Sequence, residues 1–203
     1  MSLLSRIFGN EKVKERKGQP DILFMPDNDE EMAWAIEKAG LTLWYFEQSL
    51  KKPLPDQQYF SVKIKITDGA ATEHIWLNEP DFDPDGNLFG IVGNQPDHIR
   101  TVKSGDHIGI ERHLISDWMI IENKKLIGGY TIRAIRDHIP DEGLQAFDDS
   151  IGVYIDEGVD YFKPDFDTPE GAILSLEQAF SEKNLDKALF CNDFRAEAGL
   201  VLA

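Results

Sequence analysis

The sequence predicts an α+β protein in which the helices are segregated from a mainly antiparallel sheet. Residues 60–67 alternate apolar and polar side chains without a break, which predicts a strand. A second alternating segment follows the Asp68-Gly69 turn, so the two segments form an antiparallel hairpin. Helical patterns precede and follow the strands instead of lying between them, which is typical of α+β folds. We therefore expect an N-terminal helix, a mainly antiparallel sheet of about five strands, a following helix and a helical C-terminal segment.

The N-terminal helix is expected to begin at Asn28 or Asp29, either of which can cap it, with acidic residues in its first turn. Apolar residues recur at helical spacing as far as Leu50. Gly40 marks a candidate kink, because glycine stabilises a helix less than alanine does. The prolines after Leu50 end the helix, since proline cannot continue a helix interior.

The strand and turn patterns continue through the middle of the chain. A helix follows them over residues 131–138, and the chain becomes less regular after Pro140. A short strand is expected at residues 151–155. The predicted sheet strands cover residues 60–67, 72–77, 88–92, 106–113 and 116–121, with tight turns at 123–125 and 128–129.

The C-terminal part reads as a linker followed by short helices. Thr168 can cap a helix whose first position is Pro169, where the missing N–H of proline costs nothing. Two further helices are expected at residues 184–190 and 193–202. The predicted organisation is a flexible basic tail (1–20), an α+β domain (21–157), and a linker with a helical segment (158–203).

Composition excludes some partners. With 21 Lys and Arg against 37 Asp and Glu, the net charge is −16, and an acidic surface repels phosphate backbones. We expect no nucleic-acid binding and see no indication of a cofactor. One cysteine, Cys191, excludes an intramolecular disulfide and fits a reducing compartment, so we expect a cytoplasmic protein. Apolar runs stay far below the roughly 20 residues that span a bilayer.

The first 18 residues differ from the rest of the chain. They hold five basic and two acidic residues, together with an apolar cluster at the very start. Such a segment could make weak contact with an anionic membrane surface. The alternative is a frayed terminus with no binding role.

Short motifs in the middle of the chain resemble the YegJ-like bacterial domain of unknown function, over residues 28–137. The resemblance implies a small, mostly antiparallel α+β domain of the bacterial cytoplasm, and it supplies no catalytic residues. The motifs are Phe60-Ser-Val-Lys-Ile-Lys65, Glu73-His-Ile-Trp-Leu77, Phe89-Gly-Ile-Val-Gly-Asn-Gln-Pro96, Gly105-Asp106, Ser116-Asp-Trp-Met119 and Gly128-Gly-Tyr-Thr-Ile-Arg133.

A second resemblance concerns the C-terminal segment. Residues 168–172, 179–180 and 184–188 look like the opening helices of NTF2-like domains, which pack on a curved sheet. The sequence stops before any such strands. Either the analogy fails or a downstream part is missing.

The leading functional hypothesis is a non-catalytic binding or regulatory module that recognises a protein or small ligand. On a strand, His74 and Trp76 share a face, whereas Glu73 points to the other face. A histidine and an indole on one face could line a ligand groove, although cross-strand packing explains the same pattern. The candidate ligand-binding residues are His74, Trp76, Asn94, Asp117 and Trp118. For Trp118, packing in the core is the alternative.

The second hypothesis is a metal-dependent hydrolase on the sheet face. Alternation on a strand over residues 106–113 would put Glu111 and His113 on one face. If His74 came from a neighbouring strand, two imidazoles and one carboxylate would suit zinc or iron. Nothing in the spacing demands a metal, and a surface of polar side chains is the alternative.

Overall fold

The computed structural model describes residues 13–14, 22–23, 29–156, 158–159, 166 and 168–191. The chain divides into two compact units, Met1–Val159 and Asp160–Ala203. Near the N-terminus, strand β1 (Val13–Lys14) pairs antiparallel with β2 (Ile22–Leu23). Most of the predicted basic tail and the predicted helix at 193–202 lie outside the described residues. Within them, no helix is long and apolar enough to cross a membrane.

Two consecutive helices lie in the first unit where the sequence predicts one. Helix α1 (Glu30–Leu41) starts at Asp29, whose Oδ1 accepts a hydrogen bond from the Met32 N–H at 2.8 Å. Helix α2 (Leu43–Lys51) follows after Thr42, whose Oγ1 donates to the Lys38 carbonyl at 2.7 Å. The predicted start and end are confirmed. The break falls at Thr42 and not at Gly40, because the Thr42 hydroxyl ends the turn of α1.

A six-stranded antiparallel sheet follows, so the predicted α+β class is confirmed. Its strand order is β6-β5-β4-β3-β7-β8. The sequence analysis did not recognise the strand between the predicted turns at 123–125 and 128–129, because that strand is only four residues long. The six strands are β3 (Gln57–Asp68), β4 (Ala71–Phe82), β5 (Leu88–Val92), β6 (His107–Gly109), β7 (Ile115–Glu122) and β8 (Lys125–Gly128).

Three local predictions need correction. The strand expected over 106–113 ends at Gly109, and a short 3-10 helix, Arg112–Leu114, occupies its second half. The predicted helix near 131–138 is confirmed as α3 (Tyr130–Asp137), but the next stretch is also regular and forms α4 (Asp141–Ile151). In place of the strand expected at 151–155, Tyr154 makes an isolated parallel bridge to β8.

The two faces of the sheet carry different cores. Helices α1 and α2 pack on the first face, where Phe46 lies 5.7 Å from Trp118 between ring centroids. Helix α3 packs against α1 and places Tyr130 beside Trp118, and α3 and α4 enclose a second, smaller core that includes Leu126 and Phe147. On the second face of β3 and β4, Ser61 is fully buried, whereas the side chains around it are half-buried or exposed.

The second unit contains two described helices, and both predicted starts are confirmed. Helix α5 (Pro169–Ser181) begins with proline at its first position, and Thr168 Oγ1 accepts a hydrogen bond from the Gly171 N–H at 3.0 Å. Helix α6 (Leu185–Phe190) is capped by Asn184, which accepts from the Lys187 N–H at 3.1 Å. These caps stabilise short helices by satisfying N–H groups that have no partner within the helix.

Candidate functional site

The candidate site is the second face of β3 and β4, which we call the open face. The hairpin register pairs Lys63 with Trp76 and Lys65 with His74 across the two strands. Tyr59 is 41% exposed, and its hydroxyl donates to Asn78 Oδ1 at 2.7 Å. Alternation therefore collects two lysines, a histidine and two aromatic rings on one surface. The open face consists of Tyr59, Lys63, Lys65, His74, Trp76 and Asn78.

Asp117 of β7 lies beside this surface and is 0% exposed. Its Oδ1 accepts hydrogen bonds from the N–H groups of Trp118 at 2.8 Å and Tyr130 at 3.1 Å. Its Oδ2 accepts from the N–H and the hydroxyl of Thr131, at 2.9 and 2.6 Å. Tyr130 and Thr131 begin α3, and the cap position, Gly129, has no side chain. Asp117 thus caps the helix from a neighbouring strand and balances the positive end of its dipole.

Two glycines allow α3 to start so close to β7. Gly128 and Gly129 both have positive φ, +70° and +63°. A Cβ on Gly128 would lie 2.5 Å from the Trp118 carbonyl oxygen, well inside van der Waals contact. Only glycine tolerates both conditions at this position. The Gly-Gly pair is therefore what brings the first N–H groups of α3 to Asp117.

Lys63 is held by the same network. Its ammonium donates to Thr131 Oγ1 at 2.9 Å, and Thr131 in turn donates to Asp117. The ammonium also lies 5.2 Å from the centroid of the Trp76 ring, within the range of a cation–π contact. Burial lowers the pKa of Lys63, and the charge of Asp117 opposes that shift. Burial raises the pKa of Asp117, and Lys63 and the Thr131 hydrogen bonds oppose it. The positive charge of Lys63 and the negative charge of Asp117 thus stabilise each other against the effect of burial.

His74 occupies the outer part of the open face. Its Nδ1 lies 2.8 Å from Ser116 Oγ, which is itself 3.4 Å from the Lys63 carbonyl oxygen. Burial, followed by the charges of Lys63 and Lys65, lowers the pKa of His74 to about 4. The imidazole is still exposed, so water screens part of this effect. At neutral pH the ring is uncharged and forms a polar, hydrogen-bonded edge of the surface.

Trp118, predicted as a ligand-binding residue, lies on the first face and not on the open face. It is 1% exposed. Its Nε1 donates to the Ala39 carbonyl at 3.0 Å and lies 3.2 Å from Thr42 Oγ1. A ligand on the open face cannot reach this ring, because residues 117 and 118 point to opposite sides of β7. We therefore exclude Trp118 from the site, and its structural alternative, core packing, is what the fold adopts.

Asn94 lies in the turn after β5, one residue beyond the backbone contact of this turn with β4. The preceding residue, Gly93, donates its N–H to the Trp76 carbonyl at 3.0 Å. The Asn94 side chain is half-buried. Its predicted role in binding stays a prediction, as do the roles of His74, Trp76 and Asp117, which the fold does bring together.

The proposed metal ligands are not brought together. Glu111 and His113 are exposed at the 3-10 helix, beyond the end of β6. The His113 Nδ1 lies 3.6 Å from the Glu111 Oε2. His74 is on β4, hydrogen-bonded to Ser116. Across the described ranges, no group of three or more His, Cys, Asp or Glu side chains is placed to hold a metal ion. The prediction of this metal set is wrong, because it depended on a strand that ends four residues before His113.

Six residues of the site were missed by the sequence analysis: Tyr59, Lys63, Lys65, Asn78, Ser116 and Thr131. Lys63 and Tyr59 could have been found, since counting back from the Asp68-Gly69 turn pairs Lys63 with Trp76. Ser116 and Thr131 could not, because their contacts depend on the pairing of β7 with β3 and on the position of α3. Hydrogen bonds between residues 42 to 68 positions apart leave no local pattern.

The fold defines an α+β protein, and comparison with known families identifies the family to which the chain belongs. Residues 29–155 match the family described as "Uncharacterized protein conserved in bacteria (DUF2314)". The match covers more than half of the chain and includes the whole six-stranded sheet, so this chain belongs to that family.

Two curated relatives are similar to this chain. One is "Putative ankyrin repeat protein NMB1133/NMB1171" of Neisseria meningitidis serogroup B, 27% identical over 192 residues, which are 89% of this chain and 71% of the relative. The other is "Uncharacterized protein YegJ" of Escherichia coli K12, 39% identical over 77 residues, which are 38% of this chain and half of the relative. The second match confirms the predicted YegJ-like domain. No solved structure matches the chain.

Proposed function

We propose that this protein is a non-catalytic binding or regulatory module of the bacterial cytoplasm that recognises a protein or small ligand through the open face. One observation supports the proposal above others. The network of Asp117, Thr131 and Lys63 holds an ammonium group beside the half-buried ring of Trp76, next to the exposed side chains of the open face. Fixed polar groups beside apolar rings are the usual composition of a ligand-binding surface.

The geometry favours binding over catalysis. The hydrogen bond between Ser116 and His74 resembles the pairing of a serine nucleophile with a histidine base. Ser116 is 2% exposed, so its hydroxyl cannot approach a substrate that lies on the open face. Its hydrogen bonds serve instead to orient the imidazole. The metal-dependent alternative lacks its ligand set, as the positions of Glu111 and His113 show.

The ankyrin description belongs to the Neisseria relative. Ankyrin repeats are helical units with a period of about 33 residues. The described residues of the first unit instead form an antiparallel sheet with helices before and after it. Recognition by this chain would therefore use a sheet face and not the surface of a repeat array.

The proposal is tested by a thermal-shift screen of the full chain against small metabolites, with two variants. Trp76→Leu removes the indole of the open face. Trp44→Leu is the matched control, because Trp44 is 42% exposed but belongs to α2. A ligand at about 100 times its dissociation constant adds roughly 2.7 kcal/mol to the free energy of unfolding. We expect the shift to vanish in Trp76→Leu and to persist in Trp44→Leu. A shift that survives Trp76→Leu would place the ligand elsewhere.

A further inference from the structure

We propose that the open face binds a small carboxylate that carries a flat apolar group, with the carboxylate at Lys63 and Lys65 and the apolar group against Trp76 and Tyr59. This inference rests on the proposed function and names the class of its ligand. Its basis is that Lys63 and Lys65 pair across the hairpin with Trp76 and His74, with the Lys63 ammonium beside the Trp76 ring. Tyr59 is exposed further along the same side of β3.

Charge supports an anionic ligand at this position. The chain carries a net charge of −16, yet Lys63 and Lys65, two residues apart on β3, put two cations on the same side of that strand. A cationic patch on an acidic protein attracts anions locally while the remaining surface repels them. The two lysines thus make the open face a favourable binding position for an anion.

The charges around the face also orient the ligand. Glu79 lies near Tyr59, since its charge adds to the rise in the pKa of that phenol, whose main cause is burial. An anion is therefore disfavoured at the Tyr59 end and favoured at the end where Lys65 pairs with His74. The apolar part of the ligand then extends along Trp76 towards Tyr59, where an aromatic ring gains from stacking.

The amount of charge favours a carboxylate over a phosphate. Asp117 offsets one of the two lysine charges, and His74 is uncharged at neutral pH because its pKa is lowered to about 4. At the end of the face away from Glu79, the net charge of +1 matches a carboxylate, whereas a phosphate monoester carries about −1.5 to −2. An ammonium has three N–H groups, and Thr131 accepts one of those of Lys63. The other two can be donated to a carboxylate.

Three matched probes separate charge from shape: benzoate, the neutral benzamide, and phenyl phosphate. Each is titrated into the full chain at low ionic strength, with the dissociation constant taken from calorimetry and the contact surface from the indole N–H signal of Trp76 in NMR spectra. We expect benzoate to bind about tenfold more tightly than either of the others, a difference of roughly 1.4 kcal/mol. Added salt should weaken benzoate binding and leave benzamide unchanged.

Variants keep the test independent of folding. Lys63→Met would leave Asp117 buried without its cation and could unfold the protein, so the exposed Lys65 carries the test. In Lys65→Gln, with the Tm unchanged, we expect the preference for benzoate over benzamide to fall several-fold. Lys103→Gln, which removes an exposed lysine from the loop before β6, should keep it.

The outcomes distinguish this inference from the proposed function. Equal binding of benzoate and benzamide, with loss of both in Trp76→Leu, would overturn the anionic ligand and leave the open face as the binding surface. Tighter binding of phenyl phosphate would overturn the carboxylate. Binding of benzoate that survives Trp76→Leu would overturn the site as well as its ligand. No binding of any probe would overturn the ligand class, and the metabolite screen with Trp44→Leu would still test the surface.

Discussion

The two faces of β3, β4 and β7 differ in burial and polarity, and the difference is largest between Trp118 and Trp76. Trp118 is 1% exposed in the core under α1 and α2, with its Nε1 hydrogen-bonded to a helix carbonyl. Trp76 is half-buried on the open face beside the Lys63 ammonium. Both residues follow the period-two alternation of their strands. What separates a structural tryptophan from a candidate binding tryptophan is therefore the element that packs on each face.

Asp117 shows that burial does not follow from the face alone. It lies on the same side of the sheet as Lys63, yet it is as inaccessible as the neighbouring Trp118. The reason is that α3 begins directly above it and directs two backbone N–H groups at its carboxylate. Asp117 is buried because its carboxylate caps α3. The open face lies on β3 and β4, next to this capped end of the helix.

Truncation of the two tryptophans should give the largest difference. We expect Trp118→Ala to lower the free energy of unfolding by about 3–5 kcal/mol, since it removes a large side chain from a packed core. Trp76→Ala should cost about 1 kcal/mol, because half-buried side chains lose fewer contacts. Urea unfolding of both variants measures the difference. Similar losses would show that Trp76 is a core residue and would remove the contrast between the faces.

Removal of the buried carboxylate should come next in size. Asp117→Ala leaves Lys63 without its counter-charge and the first N–H groups of α3 without acceptors, so we expect a loss of about 3 kcal/mol. In the double variant Asp117→Ala, Lys63→Met no unpaired charge remains. Its loss in chemical denaturation should therefore be smaller than the sum of the two single losses. Strict additivity would mean that the two side chains do not interact.

The smallest effect concerns pH and the outer edge of the open face. Because the pKa of His74 falls to about 4 in the folded state, against about 6.5 in the unfolded chain, the unfolded state binds more protons between these values. The free energy of unfolding should therefore fall as the pH drops from about 6.5 towards 4. His74→Gln should flatten this dependence. An NMR titration of His74 with a midpoint at or above 6.5 would contradict the expectation.

The hairpin shows how much of the site could be predicted from the sequence. The alternation of residues 60–67 and the turn at 68–69 determine both the pairing of β3 with β4 and the side chains that share a face. His74 and Trp76 were identified in this way, and Lys63 could have been. The strand expected over 106–113 was predicted too long, since its pairing with β5 ends at Gly109 and a 3-10 helix follows at Arg112–Leu114.

By itself, the sequence determined the α+β class, the caps at Asp29 and Thr168, the central hairpin and the family, since these depend on local patterns and short motifs. Only the tertiary structure decided which tryptophan is buried and which stays at the surface. It also decided that Asp117 caps α3 and thereby holds Lys63 through Thr131. The physical reason is that the alternation of side chains along a strand defines two faces but does not determine which face a helix will cover. Helices that lie far away in the sequence make that choice when they pack on the sheet.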